Sequence, residues 1–222
     1  MGKLIVLEGT DGSGKSTQFS LLTRRLTCEG RAFQRLVFPQ YQEESSALIR
    51  MYLKGEFGSK PDDVNAYAAS TFYAVDRYAS YQKVWREGYA QGGLMLADRY
   101  TTSNMVHQGA KLRPEEREDY FAWLEDLEFC RLGLPRPDMV IYLDVPTEVS
   151  ETMMRKRERD TNTHADIHER DMAYLRVCRD AGRQAAARNN WKVVHCAKNG
   201  IMRCVEDIHH EIYGLVCACL WE

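Results

Sequence analysis

The sequence predicts one α/β domain built on a parallel sheet. Three observations carry that prediction: short apolar runs recur along the 222 residues, stretches with helical spacing separate them, and the first run opens into a glycine-rich turn. Leu4-Ile5-Val6-Leu7 is continuous apolar chain followed at once by glycines, the pattern of a strand buried on both faces that feeds a tight turn. Similar runs at Phe33 to Phe38, Leu94 to Ala97, Met139 to Leu143 and Lys192 to His195 bring the expected strands to five. Each interval is long enough for at least one helix, which parallel pairing requires. Val64, Tyr67, Thr71, Val75 and Tyr78 follow i, i+3, i+7, i+11, i+14, and Phe121, Leu124 and Leu127 repeat the spacing, so both segments are read as crossover helices. Asp166 and Glu169, as N-cap and N3, have the form of a capping box before a helix running through Ala187. With no internal repeat and one charge run, Arg155 to Arg159, residues 1–222 read as a single domain carrying a basic flap over about 155–166.

Composition narrows the function classes. At 44% hydrophobic and 28% charged residues, collagen, disordered tail and membrane bundle are excluded. A formal net charge of -2 gives no global field for nucleic acid or an anionic membrane, so an anionic ligand must be held locally. Seven cysteines without a C-x-x-C argue against a disulfide framework and for a reducing, cytoplasmic compartment. Cys217 and Cys219, with His209 and His210 upstream, read as plain helix residues rather than metal ligands, because C-x-C spacing puts the thiols on different helix faces. The longest apolar run, Leu215 to Trp221, is far short of a membrane span, and no export signal is visible.

The chemistry begins at Gly9-Thr10-Asp11-Gly12-Ser13-Gly14-Lys15-Ser16, which matches G-x-x-x-x-G-K-[ST] between an expected strand and an expected helix. Glycines let successive backbone N–H groups turn toward a polyphosphate, the helix N-terminus adds partial positive charge, Lys15 reaches the β/γ oxygens, and Ser16 is placed to ligate Mg²⁺. This predicts a nucleoside triphosphate site and leaves kinase, switch GTPase and motor ATPase open. Lys198-Asn199 is out of order for Asn-Lys-x-Asp, which weakens the GTPase. Asp98 after the third apolar run suits a motor, yet Arg99 beside it puts a cation where a second anionic substrate would lie. Transfer between two phosphates is therefore favoured over hydrolysis.

Taken in order, Glu8 to Thr17, Phe38-Pro39, Asp76-Arg77, Asp98-Arg99-Tyr100 with Ser103 and Gln108-Gly109, Pro137-Asp138, the arginine-rich flap and Asp166-x-x-Glu169 resemble the thymidylate kinase family of P-loop nucleoside monophosphate kinases. The resemblance implies a three-layer fold with a five-stranded parallel sheet, a homodimer, Mg²⁺, and ATP + dTMP giving ADP + dTDP. It places Asp11 near the metal and the acceptor 3′-OH, and Arg99 on the acceptor phosphate, where a bidentate, permanently charged group suits the task. Asp98 would orient such arginines or a metal-bound water. Tyr73 and Arg77, four apart on one helix face, are assigned to stacking on the base and donating to a pyrimidine carbonyl. Phe38 and Pro39 are assigned beside base and phosphate, Asn104 at the pyrimidine N3 edge, Gln108 in the acceptor site, and Asp166 and Glu169 near sugar and metal. Arg155, Lys156, Arg157 and Arg159 stand where the family has its LID; since Gly12 and Ser13 offer no cation, the LID, with Arg155 and Arg159 foremost, is expected to supply transition-state charge. The chain departs from the family at His107, where a tyrosine near the sugar is usual. His107 either lines the sugar pocket or is satisfied within a helix interface. The competing readings are a kinase for another monophosphate such as dUMP, dGMP or UMP, a P-loop ATPase switch, and a nucleotide-binding subunit without turnover.

Overall fold

The computed structural model describes the backbone of residues 1–161 and 171–221 and the side chains of residues 1–155 and 171–220. Strands β1 (Lys3–Gly9), β2 (Gln34–Val37), β3 (Leu94–Asp98), β4 (Met139–Asp144) and β5 (Lys192–His195) form one sheet in the order β2-β3-β1-β4-β5. All pairs are parallel, with Leu7 opposite Asp98 and Gly9 opposite Leu143. The five expected strands are all present, each within a few residues of the apolar run that predicted it. A two-stranded hairpin, β6 (Ala197–Lys198) and β7 (Ile201–Met202), follows β5.

The unbroken apolar character of β1 follows from burial on both faces. Ile5 and Leu7 pack with Phe19 and Leu22 of α1 (Lys15–Cys28) and with Ile208, Ile212 and Val216 of α9 (Val205–Trp221). Leu4 and Val6 face the other way, against Trp85, Tyr89 and Tyr100. Two helical layers thus cover the sheet. Strand order changes across β1, and at such a switch the carboxyl ends of neighbouring strands bound a crevice. The P-loop leaves β1 there, and Asp98-Arg99 leaves β3 beside it.

The remaining helices are α2 (Ala47–Leu53), α3 (Ala66–Ser80), α4 (Arg86–Ala90), α5 (Thr101–His107), α6 (Arg117–Glu125), α7 (Thr147–Thr161) and α8 (Met172–Arg188). Helix α3 exists where the spacing predicts it, but the stripe that predicts it faces outward: Tyr67, Val75 and Tyr78 are exposed. The buried face carries Ala66, Ala69, Ser70, Ala74, Asp76 and Arg77 instead, because small residues admit close packing and the charged pair finds interior partners. After α6 the chain widens into a π-helical turn, Asp126–Arg131. Phe121 and Leu124 are buried as expected, while the next inward position is held by Glu128 and not by Leu127. The helix through Ala187 begins at Met172, with the Asp171 side chain accepting from Tyr174 N at 2.9 Å, so its cap is Asp171 and not Asp166. None of the seven cysteines is in a disulfide, and among the described residues no helix is long and apolar enough to cross a membrane.

Candidate active site

Gly12 and Gly14 both adopt left-handed backbone conformations, φ 75° and 82°, which let the P-loop wrap inward before α1 begins. A Cβ on Gly12 would stand 2.6 Å from Ser150 O, so α7 also demands glycine there. Lys15 folds back on its own loop, its Nζ donating to Gly9 O at 2.7 Å and Thr10 O at 3.1 Å. Burial, then the neighbouring charge of Arg99, holds its pKa below the usual lysine range. A cavity of about 410 Å³ lies over the loop, lined by Asp11 to Thr17 with Asp98, Arg99, Met153 and Met154.

A second cavity of about 150 Å³ lies alongside, between α3, α5 and the end of β2. Phe38, Pro39, Tyr73, Arg77, Arg99, Asn104, His107 and Gln108 line it together with Asp11, so nine positions spread from Asp11 to Gln108 converge on one space. The two cavities share Asp11, Phe38, Pro39, Tyr41 and Arg99 as their common wall.

Arg99 is the centre of that wall. Its backbone is left-handed at φ 69°, unusual for a residue with a Cβ, and is held by Arg99 N donating to Leu7 O at 3.1 Å. Such a conformation costs on the order of 1–3 kcal/mol and persists where surrounding contacts over-determine it. The guanidinium is bonded to Asp11 through Nη2 and reaches His107 Nε2 at 2.9 Å through Nη1. Burial opposes its charge, but Asp11, Glu8 and Asp98 outweigh burial and hold its pKa above the ordinary value. A guanidinium has only donors, so His107 Nε2 is the acceptor in this contact. Tyr174 of α8 bonds the His107 carbonyl.

Two fully buried carboxylates support the wall, and the sequence reading assigned a role to neither. Glu8 accepts from Gly9 N at 2.9 Å, Thr102 Oγ1 at 2.6 Å and Ser103 Oγ at 2.6 Å, tying the P-loop entry to α5. Glu128 accepts from Arg77 Nε at 2.7 Å and from Thr101 Oγ1 at 2.7 Å. Both carried a sequence signal: Glu8 ends an otherwise apolar run in a buried strand, and Glu128 sits at i+4 from Leu124, continuing the inward face of α6 into the π-helical turn.

Other expected residues are placed with equal clarity. Asn104 lines the acceptor cavity, and its Nδ2 donates to Ser70 O at 3.2 Å. Gln108 is buried in the same wall, and its Oε1 has no partner among the described residues. Arg155 is exposed and pairs with Glu151 on its own helix rather than lining the P-loop cavity. The Arg159 side chain, Asp166 and Glu169 lie outside the described residues.

A family model described as thymidylate kinase matches residues 7–208. The chain is 35% identical over 171 residues to a thymidylate kinase of Mycobacterium tuberculosis, covering 76% of this chain and 78% of that one. It is 28% identical over 216 residues to the Homo sapiens thymidylate kinase, covering 95% and 88% of the two chains. A probable thymidylate kinase of Thermococcus gammatolerans is 31% identical over 219 residues, covering 97% of this chain and 96% of its own.

Proposed function

The chain belongs to the thymidylate kinase family, and from that premise we propose that it transfers the γ-phosphoryl group of ATP directly to dTMP, giving ADP and dTDP. The observation that carries the reading is the shared wall: a P-loop cavity and an acceptor cavity meet at Arg99 and Asp11, so a donor phosphate and an acceptor phosphate would face each other across one guanidinium. In-line transfer needs that juxtaposition, and hydrolysis does not.

The site residues then take roles. Backbone N–H groups from Gly9 to Thr17 cradle the triphosphate, and Lys15 exchanges its two loop carbonyls for β/γ oxygens. Arg99 grips the acceptor phosphate and Asp11 orients Arg99. The base enters between Phe38 and Tyr73, with Arg77 donating to its 4-carbonyl and Asn104 and Gln108 supplying hydrogen bonds at its rim. The LID arginines, Arg155 and Arg159 among them, close over the phosphates as charge develops, with Asp166 and Glu169 on the sugar side.

Ser16 and Asp98 put a hydroxyl and a carboxylate on the P-loop cavity, with the Asp11 carboxylate at its edge. Few hard oxygens plus substrate phosphates and water is the donor set that suits Mg²⁺, so the residues fit that ion. Held by Ser16, Asp98 and Asp11, Mg²⁺ would supply charge neutralisation to the phosphates. Residues 1–222 act as one domain, and the exposed Tyr67, Val75 and Tyr78 stripe on α3 is the face offered to a second copy in a homodimer. Seven cysteines outside any disulfide accord with a reducing cytoplasm.

The test is ADP release with ATP and a panel of monophosphates that includes dTMP, dUMP, dGMP and UMP. Release that depends on dTMP and exceeds that with the others is expected. Release at the same rate without any acceptor would replace the kinase by an ATPase.

A further inference from the structure

Arg77 is an unusual recognition group because it is almost entirely inside the protein, 2% exposed, at the end of a long buried side chain. A guanidinium in that position is aimed only if something other than solvent holds it. Three of its five N–H donors have partners: Nε–H goes to Glu128 Oε2 at 2.7 Å, one Nη2–H to Glu128 Oε1 at 2.5 Å, and one Nη1–H to the Tyr100 carbonyl at 3.2 Å. Among the described residues one hydrogen on each of Nη1 and Nη2 is left, and Arg77 lines the acceptor cavity.

Glu128 is itself fully buried and fixed a third time, by Thr101 Oγ1 at 2.7 Å. Thr101 opens α5 two residues after Arg99, and Tyr100 supplies the carbonyl that Arg77 also uses. One carboxylate therefore ties α3, which carries Arg77, to the turn that carries Arg99. The side chain reaches this point from the π-helical turn at Asp126–Arg131, a widening of the helix of the kind found at functional positions.

We infer that Glu128 is a positioning residue for acceptor choice: by clamping Nε and Nη2 of Arg77 against Thr101, it turns the remaining guanidinium edge onto the pyrimidine 4-position and sets the spacing between base recognition and the Arg99 phosphate grip. The inference rests on the reading of Arg77 as the donor to the 4-carbonyl. A carboxylate is required because two parallel N–H groups need two acceptors. A carboxamide turns one donor against the guanidinium and rotates it out of line. A buried pair that served stability alone would lower activity toward every acceptor alike, whereas a clamp on Arg77 changes which acceptor is used.

The experiment compares kcat/KM for dTMP and for dCMP, which carries a 4-amino donor in place of the carbonyl, in the unmodified chain, Glu128→Gln, Arg77→Gln and the double variant. Glu128→Gln should reduce the dTMP over dCMP ratio by at least about tenfold, with KM for ATP unchanged. In the Arg77→Gln background the same substitution should leave the ratio within about twofold, because Glu128 acts through Arg77. Thr101→Val removes one bond to Glu128 without unpairing a charge, and a fall of about two- to fivefold in the ratio is expected from it even if Glu128→Gln does not fold. A ratio that Arg77→Gln moves but neither Glu128→Gln nor Thr101→Val moves overturns the positioning role and leaves Arg77 at the base. A ratio unmoved by Arg77→Gln removes Arg77 from the base and the inference with it.

Discussion

Lys111 joins α2 and the chain after it to the turn after α5, and it does so with a half-buried charge. Its Nζ donates to Val64 O at 2.7 Å and to Tyr52 Oη at 3.0 Å, and burial pulls its pKa from 10.5 down to about 8. Below pH 8 the group is protonated in folded and unfolded chains, so the cost of burying the cation is fully present. Between pH 8 and 10.5 the unfolded chain binds more protons than the folded one, so stability rises with pH across that window. The gap between 10.5 and 8 is worth about 3 kcal/mol in total, of which about 1.4 kcal/mol is relieved between pH 7 and 9. Lys111→Met keeps the apolar stem and removes the titrating group. Urea unfolding of both proteins at pH 7, 8, 9 and 10 should show the unmodified chain gaining about 1.4 kcal/mol on the variant from pH 7 to 9 and about 2.5 kcal/mol by pH 10, other ionisations being common to both. A stability difference that stays constant over that range would refute the reasoning. The site is affected too, since Tyr52 precedes Leu53 in the acceptor cavity wall.

Two further predictions concern one residue of each cavity, Lys15 over the P-loop and His107 in the acceptor site. Lys15→Ala should fold normally and lose about 10²-fold or more in kcat, as for other electrostatic stabilisers of a transition state; an unchanged kcat with a raised KM for ATP would show that the ammonium binds ground state and transition state alike. His107→Phe removes the closer of two acceptors for Arg99 Nη1, leaving Ser103 Oγ at 3.4 Å, and should raise KM for dTMP about tenfold at unchanged KM for ATP. An imidazole that takes up a proton has no lone pair for Arg99, so kcat/KM for dTMP should fall from pH 7.5 to 6 in the unmodified chain and stay flatter in the variant. Superimposable profiles would put His107 outside the acceptor grip.

What could be read in advance depended on whether the information was local. The P-loop was legible because its strand, glycines, lysine and helix are consecutive, and each demands the next. The strands were legible because burial on both faces leaves an apolar run that needs no partner to identify it. Helix α3 was legible in existence but not in orientation, since aromatic residues on its outer face outcompete alanine and serine in any count of apolarity. Small residues bury as completely as large ones and announce it less.

The arginines and the carboxylates that aim them separate on the same ground. Arg77 and Arg99 each stand in a recognisable local pattern, whereas their counter-charges arrive from elsewhere: Glu128 is 51 positions from Arg77, and Asp11 is 88 from Arg99. Nothing near Arg77 in sequence states that its charge must be matched. The energetics do state it, because a buried guanidinium without an acceptor pair is far costlier than a buried pair. Assigning a buried cation to a ligand therefore entails a second residue, an acid on an inward-facing position of some other element. Glu8 on β1 and Glu128 beyond α6 are buried glutamates that meet that description, and each also bonds a hydroxyl of α5, Thr102 and Ser103 in one case and Thr101 in the other. Helix α5 is thus held from both sides by acids, and the acceptor cavity takes its shape from that helix more than from the P-loop beside it.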